Sequence, residues 1–462
     1  MSRCGLTTLA EVAEALGLPA PARDLPVGDI VTDTRRLTPG NLFVALRGER
    51  FDAHDFLDQA REAGAVAAVV EAGAMADRGA AAEGLAQLEV ADTRLALGLL
   101  GRARRRAWSG RLVAVTGNSG KTTVKELLAA LLACRGSTLA TRGNLNNDIG
   151  APLTLLELTD AHRQAVVELG ANHLGEIAWT SVLAEPRVAV ITNVTGAHVG
   201  EFGGMGQIAQ AKAEILVGLP ADGVAVINRD DAYFTTWAQL AAPREVLDFG
   251  LDPRARVTAT ALACDALGRY AFTLVVDGRE CGRVQLGLLG RHNLANALAA
   301  GAAALAMGLS PEEVLAGLAG VAPMPGRLSV VEGTRKSRLL DDTYNANPGA
   351  VKAALELLVT LPGPHWCLLG AMGELGEASD RLHAEIGRYA QELGVDFLGT
   401  FGEAAGAATR AFGAGGCHFD DREALTRHVL NHLPPGASVL VKGSRSAGME
   451  SVVAELRADA SR

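Results

Sequence analysis

Short apolar runs divided by polar turns set the rhythm of this chain. From Leu112 to about Gly308, three runs rich in Val and Ile, "LVAVT", "AVVELG" and "VAVITNV", are each followed by a polar loop. The first and third lead on to apolar residues at helical spacing, as in "TTVKELLAALLAC". Runs of this length and order predict a parallel sheet wrapped by helices. Between about 245 and 290 the period drops to two, as in "RYAFTLVVDG", which predicts an inserted antiparallel patch. A third region opens near "PMPGRLSVVEG" and returns to the α/β rhythm, with "RLLDDTYNANP", "HWCLLG", "VDFLGTFG" and "SVLVKGSRS" each placing a strand before a loop. The first ninety or so residues mix shorter elements: strands at "GNLFVALRG" and "AVAAVVEAG", and a short helix that Thr8 and Glu11 open as a capping box and Gly17 closes.

The expected fold is α/β in three domains, residues 1–90, 91–322 and 323–462. The central domain is expected to be a phosphate-loop-type parallel sheet with helices on both faces, and the last a Rossmann-like α/β lid. Length agrees, since 462 residues exceed one compact core.

Composition narrows the function classes. With 48% hydrophobic and 21% charged residues the chain reads as globular, and with only 4% aromatics its cores must be built from small aliphatics. A net charge of -9 argues against a nucleic-acid partner. The one basic run, "RARRR" from Arg102 to Arg106, reads as the solvated end of a helix. Six cysteines without a C-x-x-C pair exclude the usual zinc and disulfide frameworks and suit a reducing cytosol. The N-terminus has no apolar signal core. The longest uncharged run, "NLANALAAGAAALAMGLS", is too short and too weakly apolar to span a bilayer. A cytoplasmic protein without a transmembrane segment is expected.

The strongest chemical signal is "AVTGNSGKTT", Ala114 to Thr123. It lies between a predicted buried strand and a predicted helix, where backbone N–H groups of a glycine-rich turn and the helix dipole together hold phosphate. Gly117, Asn118, Ser119, Gly120, Lys121, Thr122 and Thr123 form the loop. Lys121 is placed to reach the β- and γ-phosphates, and the Thr122 hydroxyl to ligate magnesium. The usual longer pattern fails, because Val115 stands where its first glycine belongs. Glu168 ends the next predicted strand, and His198 lies in the loop after the one beyond. Because ligands of open α/β sheets gather at strand carboxyl ends, both are candidate metal ligands, although a carboxylate or histidine in such a place is more often a cap or surface group. Lys212 shares the apolar face of "QIAQAKAEIL", either as a snorkelling stem or as a partly desolvated amine. "NRDD", Asn228 to Asp231, imitates the guanine-specificity motif, but Arg229 replaces its lysine and the residues follow a strand as a plain turn would. In the third region Asp341 and Asp342 end a strand and Pro348 starts a helix, leaving Tyr344, Asn345 and Asn347 to line a cleft.

Taken together, "TDTRRLTPGNLFVALRGERFDAHDF", "TGNSGKTTVKE", "TRGNLNNDIGAPLTLL", "ELGANHLGEI", "GRHNLANALAA", "PGRL", "DDTYNANP" and "VKGSRSAGMESV" resemble the Mur ligases in family order along the whole chain. The family's loop is T-G-x-x-G-K-[ST], so Val115 is no defect. The resemblance implies an ATP-dependent amide ligase that activates a UDP-linked peptide carboxylate as an acyl phosphate. The best match implies UDP-N-acetylmuramoyl-tripeptide and D-alanyl-D-alanine as substrates and a monomer. It also implies two magnesium ions, with Thr122 and Glu168 on one, His198 on the other, and a carbamylated Lys212 near the second. It puts Asn293 and Asn296 near adenine, Arg327 at the phosphates and Asp342 at the ribose. Asp33, Thr34, Arg35 and Arg47, with Asn144, Asn146 and Asn147, match the UDP-substrate surface, and Asn345 and Asn347 look like substrate contacts. One departure is Ala371 in "GAMGELG", where relatives commonly carry Asp, with Glu374 the nearest acid. A folate polyglutamate synthase, a small-molecule kinase with the same loop, and a nucleotide-gated binding module remain alternatives.

Overall fold

The computed structural model describes residues 4–48, 51–74, 84–194 and 204–458. They form three sheets in chain order. The first is parallel, in the order β1 (Ile30–Val31), β2 (Leu42–Val44), β3 (Ala67–Glu71), β4 (Ala86–Val90). The helix Leu9–Ala15 precedes it. Thr8 caps that helix through the Glu11 N–H as expected, whereas the Glu11 carboxylate accepts from the Thr7 N–H and hydroxyl rather than from Thr8.

The central sheet has nine strands: β5 (Arg111–Thr116), β6 (Thr138–Ala140), β7 (Gln164–Glu168), β8 (Val188–Ile191), β9 (Val224–Asn228), β10 (Glu245–Phe249), β11 (Val257–Cys264), β12 (Arg269–Val276) and β13 (Arg279–Leu289). Their spatial order is β13-β12-β11-β10-β9-β8-β5-β7-β6. The apolar runs have the physical cause expected of two covered faces. Val113 and Val115 of β5, Val166 of β7, and Val188 and Val190 of β8 enter one core with the helices Lys121–Leu132, Arg291–Ala306 and Pro311–Gly320. The alternate residues Leu112, Ala114, Ala165, Val167, Ala189 and Ile191 enter a second core with the helices Glu176–Ala184, Met205–Ala213 and Phe234–Ala241.

The expected antiparallel patch is present as β11–β13, while β10 is parallel to β9 and pairs with β11 at Phe249 and Val257, so the patch extends the same sheet. One expectation changes: the "RARRR" run is not a solvated end. It closes the helix Thr93–Ala107, but Arg104 is buried, Arg102 and Arg106 hold the Glu185 carboxylate at 3.0 and 2.7 Å, and Arg105 Nε donates to the Ala184 carbonyl at 2.8 Å. These cations satisfy the C-terminal end of the helix Glu176–Ala184, where the dipole attracts positive charge.

The third sheet runs β14 (Ser329–Glu332), β15 (Arg338–Asp342), β19 (Ser438–Lys442), β16 (His365–Gly370), β17 (Phe397–Phe401), β18 (Gly416–Phe419), with β14 alone antiparallel. It meets the central sheet through Leu289 at the end of β13, which is buried in the same cluster as Leu328, Leu340 and Leu357.

Candidate active site

The phosphate loop follows β5, which lies between β7 and β8. The chain's path through the sheet reverses there, so the loop sits in a crevice flanked by the ends of both neighbours. Two glycines permit its course. Gly117 and Gly120 have φ of 146° and 82°, and a Cβ at Gly120 would come within 2.3 Å of Asn296 Oδ1. From the β8 side Asn193 holds the loop twice: its Oδ1 accepts from the Ser119 N–H at 3.0 Å, and its Nδ2 donates to the Ser119 carbonyl at 3.1 Å. Thr192 Oγ1 donates to that same carbonyl at 2.7 Å. Lys121 folds back onto the Gly117 carbonyl at 2.8 Å. Burial pushes its ammonium pKa down, opposed by the Glu168 charge.

On the β7 side, Glu168 Oε1 accepts from Asn146 Nδ2 at 2.7 Å, while the buried Oε2 has no hydrogen-bond partner among the described residues. An unpartnered carboxylate oxygen this deep is costly unless a cation meets it. With the Thr122 hydroxyl on the same cavity, the oxygen donors fit magnesium. No group of three or more His, Cys, Asp or Glu converges among the described residues. His198 lies outside them.

The third sheet completes the site. β15 and β19 are parallel neighbours with Asp342 in register with Lys442, so residues 100 apart in sequence form a buried ion pair at the two carboxyl ends. Lys442 also donates to the Asn345 carbonyl at 2.9 Å. Asn347 caps the helix Pro348–Leu358 through the Ala350 N–H, and its Nδ2 reaches Ser119 Oγ at 3.3 Å across the cleft. One cavity of about 340 Å³ is therefore lined from both sides. It takes in loop residues Asn118 to Thr123, then Asn144, Asn146, Glu168, Asn293 and Asn296, and from the far side Arg327, Asp342, Asn345 and Asn347.

Other expected residues stand elsewhere. Gly117 lies at the base of the loop, and Asn147 Oδ1 instead accepts from the Gly150 N–H at 2.8 Å to start the helix Gly150–Leu156. Lys212 is buried and does not line the cavity, and burial, reinforced by the Lys121 charge, pushes its pKa down to about 7. Asp33, Thr34 and Arg35 form a turn between β1 and β2, and Arg47 lies just after β2. Asp33 pairs with Arg35, and Arg47 with Asp52 and Glu71. Ala371 presents only its backbone, its carbonyl accepting from Ser444 Oγ at 2.7 Å.

Sequence reasoning passed over Thr192, Asn193, Asn228, Phe249 and His292 as lining residues, and left Lys442 without a role. The polar pair closing "VAVITN" was the available signal for the first two. "NRDD" is the structural turn expected of it, with Asn228 Nδ2 donating to the Thr192 carbonyl at 2.8 Å and Asp231 accepting from the Val194 N–H at 2.7 Å.

A phosphate loop at a switch point, an anionic oxygen beside it and a second α/β unit closing over both define a nucleotide-dependent transferase or ligase. The chain belongs to the Mur ligase family: residues 27–105 match the Mur ligase family catalytic domain, 115–304 the Mur ligase middle domain, and 326–445 the Mur ligase glutamate ligase domain. It is 43% identical over 453 residues to UDP-N-acetylmuramoyl-tripeptide--D-alanyl-D-alanine ligase of Escherichia coli K12, covering 97% of this chain and 98% of that one. A crystal structure of MurF from Acinetobacter baumannii superposes with a TM-score of 0.87 at 38% identity, covering 96% and 97% of the two chains. MurF from Thermotoga maritima, solved in complex with ADP, gives 0.81 at 30% identity over 92% and 96%. Among the described residues no helix is long and apolar enough to cross a membrane.

Proposed function

We propose that this chain is the ATP-dependent amide ligase that joins D-alanyl-D-alanine to UDP-N-acetylmuramoyl-tripeptide, forming the pentapeptide precursor of peptidoglycan. The observation that carries this reading is the single cavity shared by the phosphate loop and the Asp342–Asn347 segment of a different sheet. A site split in this way lets two substrates enter and then closes on both.

The tripeptide's terminal carboxylate takes the γ-phosphoryl group of ATP, the dipeptide amine attacks the acyl carbon, and phosphate leaves with ADP already formed. Little covalent help is required, so the work falls to groups that position and neutralise. The amides of the loop and Lys121 hold the phosphates. Thr122 and Glu168 hold magnesium, which supplies charge neutralisation on the transferring group. In this reading His198 serves a second ion. Lys212, desolvated by burial, would combine with carbon dioxide and lose a proton to become a carbamate with two oxygen donors. Asn293 and Asn296 face adenine, Arg327 the phosphates and Asp342 the ribose. Asp33, Thr34, Arg35 and Arg47, with Asn144, Asn146 and Asn147, take the UDP-linked substrate, and Asn345 and Asn347 face its peptide. The chain divides, in this reading, into its three domains near residues 90 and 322. The enzyme works as a single chain in the cytoplasm, where free thiols at all six cysteines are stable.

The test is phosphate release with ATP, the UDP-linked tripeptide and D-alanyl-D-alanine, each omitted in turn. Release only with all three present, alongside an amide product, is the expected result. Phosphate retained on a product, or turnover indifferent to the dipeptide, overturns the reading. Labelled bicarbonate followed by trapping of the carbamate tests Lys212 separately: an unlabelled lysine in active enzyme sinks that assignment.

A further inference from the structure

The loop between β15 and the helix Pro348–Leu358 carries an aromatic ring that the chemistry above does not use. Tyr344 lines the cavity, and the Arg327 guanidinium lies over its ring with Cζ 4.0 Å from the centroid. Arg445, in the loop after β19, approaches the same ring at 5.8 Å. Arg327 Nε is buried and has no hydrogen-bond partner among the described residues, so the aromatic face is what meets this cation from below.

The backbone around the pair is tied down. The Gly326 N–H donates to Asp341 Oδ2 at 3.1 Å, and the Tyr344 N–H donates to the Gly326 carbonyl at 3.1 Å. The Asp341 carboxylate also accepts from Thr343 Oγ1 at 2.6 Å. Leu328, next to Arg327, has φ of 51°, a left-handed conformation that a leucine holds only where its surroundings impose it. The turn bearing Arg327 and the loop bearing Tyr344 are therefore one unit, assembled from segments 15 residues apart. Burial pushes the Tyr344 pKa up, and the neighbouring Arg327 charge opposes that shift.

We propose that Tyr344 is a positioning residue: its ring holds the Arg327 guanidinium flat, so that the N–H edge faces the nucleotide phosphates opposite Lys121. This rests on the ATP-dependent reading above. A planar guanidinium stacked on an aromatic face loses less freedom on binding phosphate than a mobile side chain does. The ring is the required part and the hydroxyl is secondary.

The experiment compares wild type, Tyr344→Leu, Tyr344→Phe, Arg327→Ala and the Arg327→Ala/Tyr344→Leu double variant of the full chain. Two quantities are read: the Kd of a non-hydrolysable ATP analogue by calorimetry, and the KM values of the ligation. Tyr344→Leu is expected to weaken the analogue and raise the KM for ATP about tenfold, equivalent to roughly 1.4 kcal/mol, and to leave the KM for D-alanyl-D-alanine in place. Tyr344→Phe should recover most of that loss, and Tyr344→Leu should add nothing to Arg327→Ala. Tyr344→Met, with a longer and more adaptable side chain, replaces Tyr344→Leu should the latter fail to fold. Equal damage from Tyr344→Phe and Tyr344→Leu, full additivity with Arg327→Ala, or an unchanged Kd overturns the proposal. Wild type that binds the analogue without ligating indicts the reaction assigned above instead, since the binding comparison stands without turnover.

Discussion

In the proposed reaction, Lys121 is the residue on which phosphoryl transfer would most directly depend. Half-buried and folded onto the Gly117 carbonyl, it is partly desolvated and already held within the loop. Lys121→Ala should lower kcat by about two to three orders of magnitude, about 3–4 kcal/mol of barrier, as removal of one preorganised donor does elsewhere. Steady-state kinetics on a folded variant check this, and near-normal turnover would remove the phosphate-loop reading. The Asp342–Lys442 pair behaves differently, because each charge depends on the other for its solvation. Lys442→Met leaves a buried carboxylate alone and should destabilise the chain by about 3–5 kcal/mol, read as a lower urea midpoint. A midpoint equal to wild type would mean that water already reaches Asp342.

At the scale of the element, the phosphate loop is a glycine turn braced from the neighbouring strand. Gly120→Ala forces a Cβ into Asn296 and into a left-handed φ together, so nucleotide affinity should fall by more than tenfold with little change in secondary structure by circular dichroism. Retained affinity would show that the loop shifts freely. A second element, the turn after β16, is pinned by a buried histidine. His383 Nε2 accepts from the Met372 N–H at 2.9 Å, which leaves Nδ1 to donate to the Ser379 carbonyl at 2.8 Å, a pattern only the neutral ring can make. Burial holds its pKa below the ordinary histidine value. Below about pH 6.5 the unfolded chain therefore takes up a proton that the folded chain refuses. This contribution to stability is complete above that pH and is lost as pH falls toward the folded pKa. Thermal unfolding between pH 7.5 and 5.5 should show a smaller decline for His383→Gln than for wild type, and parallel declines would exclude the ring as the cause.

At the scale of the whole molecule, the site exists only where two sheets meet. Asn347 reaches Ser119 across the cleft, and a Cβ on Gly268, in the turn between β11 and β12, would lie 2.4 Å from Leu357 of the third sheet's first helix. The antiparallel extension thus serves as a rest for the closing unit. Small-angle scattering should show compaction on adding an ATP analogue with the UDP-linked substrate. Gly268→Leu should reduce that compaction and raise KM for ATP without altering the loop. An unchanged radius of gyration in wild type would count against closure altogether.

The sequence by itself determined most of the elements and the place of the phosphate loop. Runs such as Leu112–Val115 are apolar at every position, because alternate residues enter two different cores, and that pattern is local. The loop from Gly117 to Thr123 was legible for the same reason: strand, glycines, lysine and helix start are contiguous. The family motifs extended that reading to Asn293, Asn296, Arg327 and Asp342. Tertiary structure alone decided what depends on neighbours distant in sequence. Strand order put Asn193 against Ser119 and Lys442 against Asp342, and it joined the period-two residues to the central sheet through β10. It also turned Arg102 to Arg106 from an expected solvated end into a clamp on another helix. Periodicity reports which face of an element is buried and is silent on what buries it, since that is set by pairing between strands the chain reaches only after long crossovers.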